Sequence, residues 1–199
     1  MIRTIKGLAV LLAMLTLLSG CGYNAMQAAD EQVDAAWAEV LNQYQRRADL
    51  VPNLVNSVKG YAAHEAAVMK DVTEARARLT QQPITQTQPD DAEAVARFDG
   101  AQRQLGSALQ HLLVIAENYP DLKASGGFRD LQVQLEGTEN RIAVARGRYI
   151  TAVREYNVLL RQFPGVVTAK LMGYQPKANF SVQDEAALAQ PPAVDFVKP

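Results

Sequence analysis

The spacing of the apolar residues is the feature that most limits the folds open to this chain. Between residues 33 and 79 they recur at alternating steps of three and four wherever the series is unbroken, and the series returns over 95–119 and 131–163. Such steps place side chains on one face of a helix, whereas a strand requires alternation, of which no comparable stretch occurs. The pattern predicts an all-α fold with three apolar faces that bury one another.

Prolines and glycines mark the ends of the predicted helices. Pro83 and Pro89 bracket a polar loop, Pro120 and Ser125-Gly126-Gly127 bound a short turn, and Pro164-Gly165 stops the last helix. The predicted helical segments are residues 28–50, 53–81, 92–119 and 127–163. Because the connections between the last three are short, we expect an antiparallel up-and-down bundle of three to four long helices.

Pro52 lies inside the first apolar series. A proline in a helix interior removes one backbone donor and costs about 3 kcal/mol. The first helix is therefore predicted to be kinked or broken near Pro52. Whether residues 28–50 pack as a fourth helix or project from the bundle depends on the angle there.

The N-terminus has the layout of a secretory signal. Arg3 and Lys6 precede an uncharged, mostly apolar run of 12 residues, 7–18. As a helix this run spans only ~18 Å, short of the ~30 Å hydrocarbon core of a bilayer. The following Leu18-Ser19-Gly20-Cys21 resembles the bacterial lipobox, in which the thiol becomes the lipid attachment site. The alternative is an uncleaved transmembrane helix that reaches Tyr23, with an incidental cysteine.

Lipid attachment at Cys21 would anchor the chain firmly, because bacterial lipoproteins carry two or three acyl chains on this residue. Gly22 occupies the position where an aspartate usually retains a lipoprotein in the inner membrane. We therefore expect the inner leaflet of the outer membrane, with the bundle in the periplasm; a single N-terminal helix in the inner membrane is the alternative. The predicted divisions are a removed signal peptide over 1–20, a lipid-anchored linker over 21–30, the bundle over 31–165 and a tail over 166–199.

Composition argues against several classes of function. The 20 Lys and Arg residues against 21 Asp and Glu leave no basic excess for a phosphate backbone, so nucleic acid is a poor candidate partner. One cysteine precludes an intramolecular disulfide, and two histidines offer little for a metal centre. His64-Glu65 begins a zinc motif, but Val68 stands where the second histidine would be. No serine lies in a nucleophile-elbow motif. We expect no metal, cofactor, small-molecule substrate or catalytic residue.

Some polar residues fall on the apolar faces. The spacing turns Arg47, Glu65, Gln102 and Thr138 inward. A buried charge needs a partner, because leaving it unpaired costs several kcal/mol. Arg47 is expected to face Glu136 or Glu139, while Arg141, Arg146 and Arg148 also flank the last apolar face. These residues are predicted to be register-setting pairs, unless a slip near Pro52 turns Arg47 outward; the functional alternative is a polar surface that receives a partner.

The tail contains aromatic residues that could pin it to the bundle, namely Tyr174, Phe180 and Phe196. One or two helical turns are predicted after Phe163, and Ser181 with Asp184 is a weak capping box for a short helix through Gln190. The alternative is a mostly disordered tail.

Runs of residues throughout the chain resemble the LemA family of bacterial membrane-associated proteins, over about residues 23–180. The matching runs are Tyr23-Asn24, Trp37, residues 46–55 (RRADLVPNLV), 58–61 (VKGY), 64–65 (HE), 117–123 (ENYPDLK), 135–142 (LEGTENRI), 145–146 (AR), 156–157 (YN) and 163–164 (FP). The resemblance implies an antiparallel helical bundle attached by its N-terminus, with no established catalytic activity. Many members resemble transmembrane-anchored proteins, and the lipobox departs from that pattern.

These observations favour a non-enzymatic envelope lipoprotein that serves as a scaffold for other envelope proteins. The alternative is a periplasmic accessory factor that binds peptide-like or unfolded clients along a helical groove. An uncharacterised enzyme is the third hypothesis.

Overall fold

The computed structural model describes residues 2–62, 64–81 and 89–180, with side chains described from residue 22 onward. Its helices are α1 (Ile2–Lys59), α2 (Ala66–Gln81), α3 (Ala92–Ala116), α4 (Pro120–Ala124), α5 (Gly126–Leu159) and α6 (Gly165–Met172). The described residues contain no strand. The predicted all-α helical bundle is therefore confirmed.

Helices α1 and α5 form one antiparallel pair and α2 and α3 form another. Contacts between distant residues give these directions. Tyr44 of α1 meets Arg146 of α5, and Arg47, further along α1, meets Glu139, seven residues earlier in α5. In the second pair Arg78 of α2 meets Gln104 of α3, while Asp71, earlier in α2, and His111, later in α3, line one depression. The two pairs pack on each other through apolar side chains, so residues 28–50 belong to the bundle and do not project from it.

The bundle has two apolar core clusters along its length. One surrounds Trp37, Phe98 and Tyr149, and the other surrounds Leu54, Leu105 and Leu112. Between them lie buried polar residues on three helices, Arg47 of α1, Gln102 of α3 and Thr138 of α5. We call these three residues together with Glu139 the polar layer.

Helix α1 does not break at Pro52. A proline cannot donate to the carbonyl four residues earlier, which here is that of Ala48. Arg76 of α2 supplies the missing donor, since its Nε lies 2.9 Å from the Ala48 carbonyl oxygen. A contact between two helices thus replaces the hydrogen bond that the proline removes, and α1 continues for seven more residues.

The predicted segment 53–81 is instead divided, because the chain leaves α1 after Lys59 and re-enters a helix at Ala66. The backbone N–H groups of Tyr61 and Ala62 both donate to the Val58 carbonyl, forming the turn that reverses the chain. Beyond the next loop, the Asp91 carboxylate accepts from the Ala94 N–H at 2.9 Å and caps the start of α3.

The start of the described bundle also differs from the prediction. Residues 22–30, expected as a linker, continue α1, and Met26 and Ala29 are buried. These residues are covered by α6, which packs on α1 near Gly22 and Met26. A Cβ at Gly165 would lie 2.5 Å from the Leu159 carbonyl oxygen and 3.0 Å from Met26 Cε, so this close approach requires glycine.

Gly173 ends α6 with φ of 77°, a left-handed conformation that glycine adopts freely. Residues 174–180 then run back along the bundle without regular structure. Phe196 and the predicted capping box at Ser181 lie outside the described residues. Within the described part of the chain, no helix carries a stretch long and apolar enough to span a membrane.

Candidate functional site

Arg47 is the centre of the polar layer. Its side chain is 5% exposed, and its guanidinium reaches Glu139 on α5 at 3.1 Å. Nη2 donates to the backbone oxygen of Gln102 at 2.7 Å and to its side-chain oxygen at 2.6 Å. Arg47 therefore joins α1 to both α3 and α5. The inward position follows from the three-and-four spacing, since Arg47 lies three residues after Tyr44 and four before Val51.

Two donors in the polar layer have no hydrogen-bond partner among the residues that the structure describes. They are Arg47 Nε and Gln102 Nε2, both fully buried. A buried donor without a partner costs about 1–3 kcal/mol, so such atoms are uncommon inside native proteins. Both side chains line a groove between α3 and α5, which places the unused donors next to a surface that a partner could reach.

This groove, which we call the α3–α5 groove, has a volume of about 690 Å³. Its floor is Tyr44 and Arg47, and its walls are residues 102–110 of α3 and 139–150 of α5. Small residues, Gly106 and Gly147, lower the walls. A neighbouring depression of about 380 Å³ continues the groove toward the C-terminal end of α3. It is lined by Leu109, Leu113, Leu135, Glu136 and Glu139.

A second ionic cluster lies beside the groove. Asp99 of α3 is buried and accepts hydrogen bonds from Arg103 at 2.7 Å and from Arg146 of α5. Arg146 also donates to the Tyr44 hydroxyl at 2.8 Å and lies over the Phe180 ring. Burial raises the pKa of Tyr44, an effect that the charge of Arg146 opposes. The Tyr44 hydroxyl therefore stays protonated, and Arg146 is the cationic side chain of the groove wall.

The extended segment 174–180 acts as a strap across the first core cluster. The Asn157 side chain bonds both backbone groups of Lys177, at 2.9 and 3.0 Å, and Tyr149 donates to the Ala178 carbonyl at 2.6 Å. Phe180 packs against Trp37 and Tyr149. Both described tail aromatics, Tyr174 and Phe180, thus contact the core cluster.

Lys177 holds the strap to the rest of the bundle. Its buried ammonium lies 2.9 Å from Asp30, 3.1 Å from Asp34 and 3.3 Å from Asp90. Desolvation lowers the pKa of Lys177, but hydrogen bonds to Asp30 and Asp34 outweigh it, so that the pKa lies above its usual value. The group is a fixed cation with a structural role.

The other predicted polar residues lie apart from the Arg47 pair. Glu65 accepts a hydrogen bond from the Tyr119 hydroxyl at 3.0 Å, near the turn between α1 and α2. Glu136 is exposed at the edge of the α3–α5 groove. Cys21 and the preceding Leu18, Ser19 and Gly20 lie where side chains are not described.

Sequence reasoning missed Asp99 and Lys177. Asp99 directly follows Phe98 of the apolar series, and its position beside Arg103 at four-residue spacing is a signal of a helical ion pair. Lys177 offered no such signal, because its three carboxylate partners lie far away in sequence.

The described side chains include no group of three or more His, Cys, Asp or Glu residues that could hold a metal ion. His64 and His111 are both exposed, and Val68 is buried in the second core cluster. The groove offers hydrogen-bond donors, small side chains and apolar patches, which are means of binding a chain.

Comparison with known proteins finds similarity to magnetosome proteins. It is 25% identical over 169 residues to the magnetosome protein MamQ of Magnetospirillum gryphiswaldense, covering 77% of this chain and 62% of that protein. It is also 25% identical over 196 residues to magnetosome proteins MamQ 1 and MamQ 2 of Paramagnetospirillum magneticum, covering 90% of this chain and 71% of each. This chain thus spans less than two thirds of the first relative's length.

None of the three names is that of an enzyme. The sequence profile of the LemA family matches residues 36–196, which include α2 to α6 and the part of α1 that carries the polar layer. The chain therefore belongs to the LemA family.

Proposed function

We propose that this LemA-family chain is a membrane-anchored, non-enzymatic scaffold of the cell envelope that binds a protein partner in the α3–α5 groove. The observation that carries the proposal is the pair of buried donors beside the groove, Arg47 Nε and Gln102 Nε2, for which the described residues provide no hydrogen-bond partner. A partner's carbonyl or carboxylate oxygens would satisfy them once the two side chains turn toward the groove.

The shape and chemistry of the groove suit a polypeptide segment. Gly106 and Gly147 let a chain approach the helices closely, while Ile150 and Ile142 provide apolar contact. The adjoining depression adds Leu109 and two acidic residues at its edge. An extended or helical segment laid along α3 would meet apolar, cationic and acidic groups in succession.

The anchor of this proposal is a lipid on Cys21, with the bundle in the periplasm and the outer membrane as the favoured site. Support comes from the lipobox-like Leu18-Ser19-Gly20-Cys21 and from α1, which runs without interruption from this segment into the core. The bundle would then lie directly against the membrane surface. The alternative is an uncleaved helix in the inner membrane.

The second candidate function is the binding of peptide-like or unfolded clients, and the same groove favours it. The two unpartnered donors, once turned toward the groove, would suit any backbone carbonyl, which is a basis for binding many sequences. A scaffold and a client-binding factor differ in the number of species bound and not in the location of the site.

Photo-crosslinking in intact cells distinguishes the two functions. We place a photoreactive amino acid at Gln110, which lines both the groove and the adjoining depression, and at Val144 on another face of α5 as the matched control. One discrete adduct at position 110 and none at 144 supports the scaffold, and a heterogeneous ladder supports client binding. Equal adducts at both positions, or none at 110, would refute the groove as the binding surface.

The anchor is tested separately by Cys21→Ser. Intact mass spectrometry of the wild-type protein should give a chain beginning at Cys21 with added diacylglyceryl and acyl mass, and the variant should lack this mass. A wild-type chain without lipid that stays in the membrane through residues 1–20 would establish the transmembrane alternative.

A further inference from the structure

We infer that α6 and the residue Phe163 before it form a second membrane contact, in which apolar side chains enter the headgroup region of the bilayer beside the N-terminal anchor. The inference rests on the proposed attachment of the N-terminus to a membrane, by lipid or by a spanning helix. It adds a specific surface of the bundle that touches the bilayer.

Among the described residues, five of the eleven exposed large hydrophobic side chains lie at this end of the bundle. Phe163 and Leu171 are the most exposed large hydrophobic residues among those described, each at 82%. Val167, Met172 and Tyr23 are also exposed. Scattered single apolar residues are normal on a protein surface, but a local group of this kind marks a contact with another apolar phase.

The geometry of α6 directs these side chains away from the bundle. Val167 and Leu171 are four residues apart and so share one face of the helix, about 40° from each other. Ala169 lies on the opposite face and is buried against the first core cluster. The outer face of α6 is thus apolar, and nothing in the described chain covers it.

The position of α6 identifies the apolar phase. A Cβ added to Gly22 would lie 3.3 Å from Thr168 Oγ1, so α6 contacts the residue that directly follows Cys21. Met26, one turn further along α1, contacts Gly165. Packed helices lie 8–10 Å apart, so anchoring Cys21 at a bilayer surface brings α6 within about that distance of the lipid headgroups.

Two cationic residues accompany the apolar face. Lys170 is exposed and lies about 60° from Val167 around α6, and Arg161 is exposed just before Phe163. Cations beside apolar side chains are typical of helices that lie in the interface of anionic membranes. With the anchor as one contact and α6 as another, the bundle cannot rotate freely about α1.

The test uses the full-length protein reconstituted into vesicles of phosphatidylethanolamine and phosphatidylglycerol. An environment-sensitive fluorescent amino acid replaces Leu171 in one variant and Val133, which is also apolar and exposed but lies in the part of α5 far from α6, in the control. We expect blue-shifted emission at 171, quenching by a lipid-borne nitroxide and at least several-fold protection from an aqueous quencher, with none of these at 133.

Flotation of the vesicles separates this inference from the proposed anchoring. Protein that floats with the vesicles while position 171 is as open to the aqueous quencher as position 133 would overturn the membrane contact and leave the anchor intact. Position 171 shielded from water but not quenched from the lipid would overturn it in favour of a protein partner. Protein that fails to float would refute the anchoring and this inference together. A Leu171→Glu variant should float normally but lose the protection of a label at Val167.

Discussion

Replacing Arg47 with alanine should destabilise the bundle more by leaving a buried acceptor without a donor than by breaking an ion pair. The substitution removes the donor of the Gln102 side-chain oxygen, at 2.6 Å on a residue 2% exposed, whereas the Gln102 backbone oxygen keeps its hydrogen bond within α3. Each buried acceptor left without a partner costs about 1–3 kcal/mol. The Glu139 side chain is 46% exposed, so its loss of Arg47 is worth only up to about 1 kcal/mol.

Part of that cost is recovered, because the variant no longer buries a guanidinium with an unpartnered Nε. We expect Arg47→Ala to lower the free energy of unfolding by about 1–3 kcal/mol, measured by urea denaturation with an unchanged dependence on urea. Arg97→Ala, which breaks an ion pair with Glu93 in which both side chains are exposed, is the matched control and should lower it by at most about 0.5 kcal/mol.

The difference between the two variants is the decisive result. A loss for Arg47→Ala as small as that for Arg97→Ala would mean that Arg47 contributes no more than an exposed ion pair, which would refute the reasoning from burial. If Arg47→Ala is as stable as wild type and still loses the crosslink from position 110, Arg47 belongs to the binding surface and not to the structural core.

Three further predictions concern the rest of the bundle. Pro52→Ala should stabilise the chain by about 1–2 kcal/mol because it restores a backbone donor to the Ala48 carbonyl. Arg76→Ala should cost about 1.5–3 kcal/mol in the wild type and less than half as much in the Pro52→Ala background. Additive effects in this double-mutant cycle would disprove that Arg76 replaces the hydrogen bond that Pro52 removes. Lys177→Met should lower the free energy of unfolding by about 1–3 kcal/mol at low salt and by less at high salt, because it leaves three carboxylates to repel one another. A loss in urea denaturation that does not depend on salt would contradict this. Burial raises the pKa of Tyr156 to about 12, so the folded chain keeps this proton when the unfolded chain loses it near pH 10. The free energy of unfolding should therefore keep its full contribution from this group below about pH 10 and fall toward pH 12. In the Tyr156→Phe variant it should fall less steeply over the same range.

The order of apolar residues by itself determined the fold class and much of the core. Because a helix repeats every 3.6 residues, inward positions can be counted along the chain, and this placed Trp37, Leu105 and Tyr149 in the core. The same count predicted that Arg47 and Thr138 point inward although both are polar, because the position of a residue around a helix is set by its spacing from the residues before and after it.

Only the tertiary structure decided how α1 passes Pro52 and what holds the tail. The donor for the Ala48 carbonyl comes from Arg76, 28 residues further along the chain. Lys177 meets Asp30 and Asp34 across more than 140 residues, and Asp90 besides. Local propensity carries no information about a partner that arrives by packing, so sequence reasoning expected a kink or break at the proline and left Lys177 unassigned.

The α3–α5 groove and the place of α6 likewise come from packing alone. A groove is the space left between two helices, and its width depends on how far the side chains of α1 hold α3 and α5 apart. The short helix after Phe163 was predicted from its residues, but its packing position on α1 follows from the close approach of Gly165 to Met26. Sequence periodicity determines which face of a helix is buried, whereas the surfaces that remain open for a partner or a membrane are determined by the distances between helices.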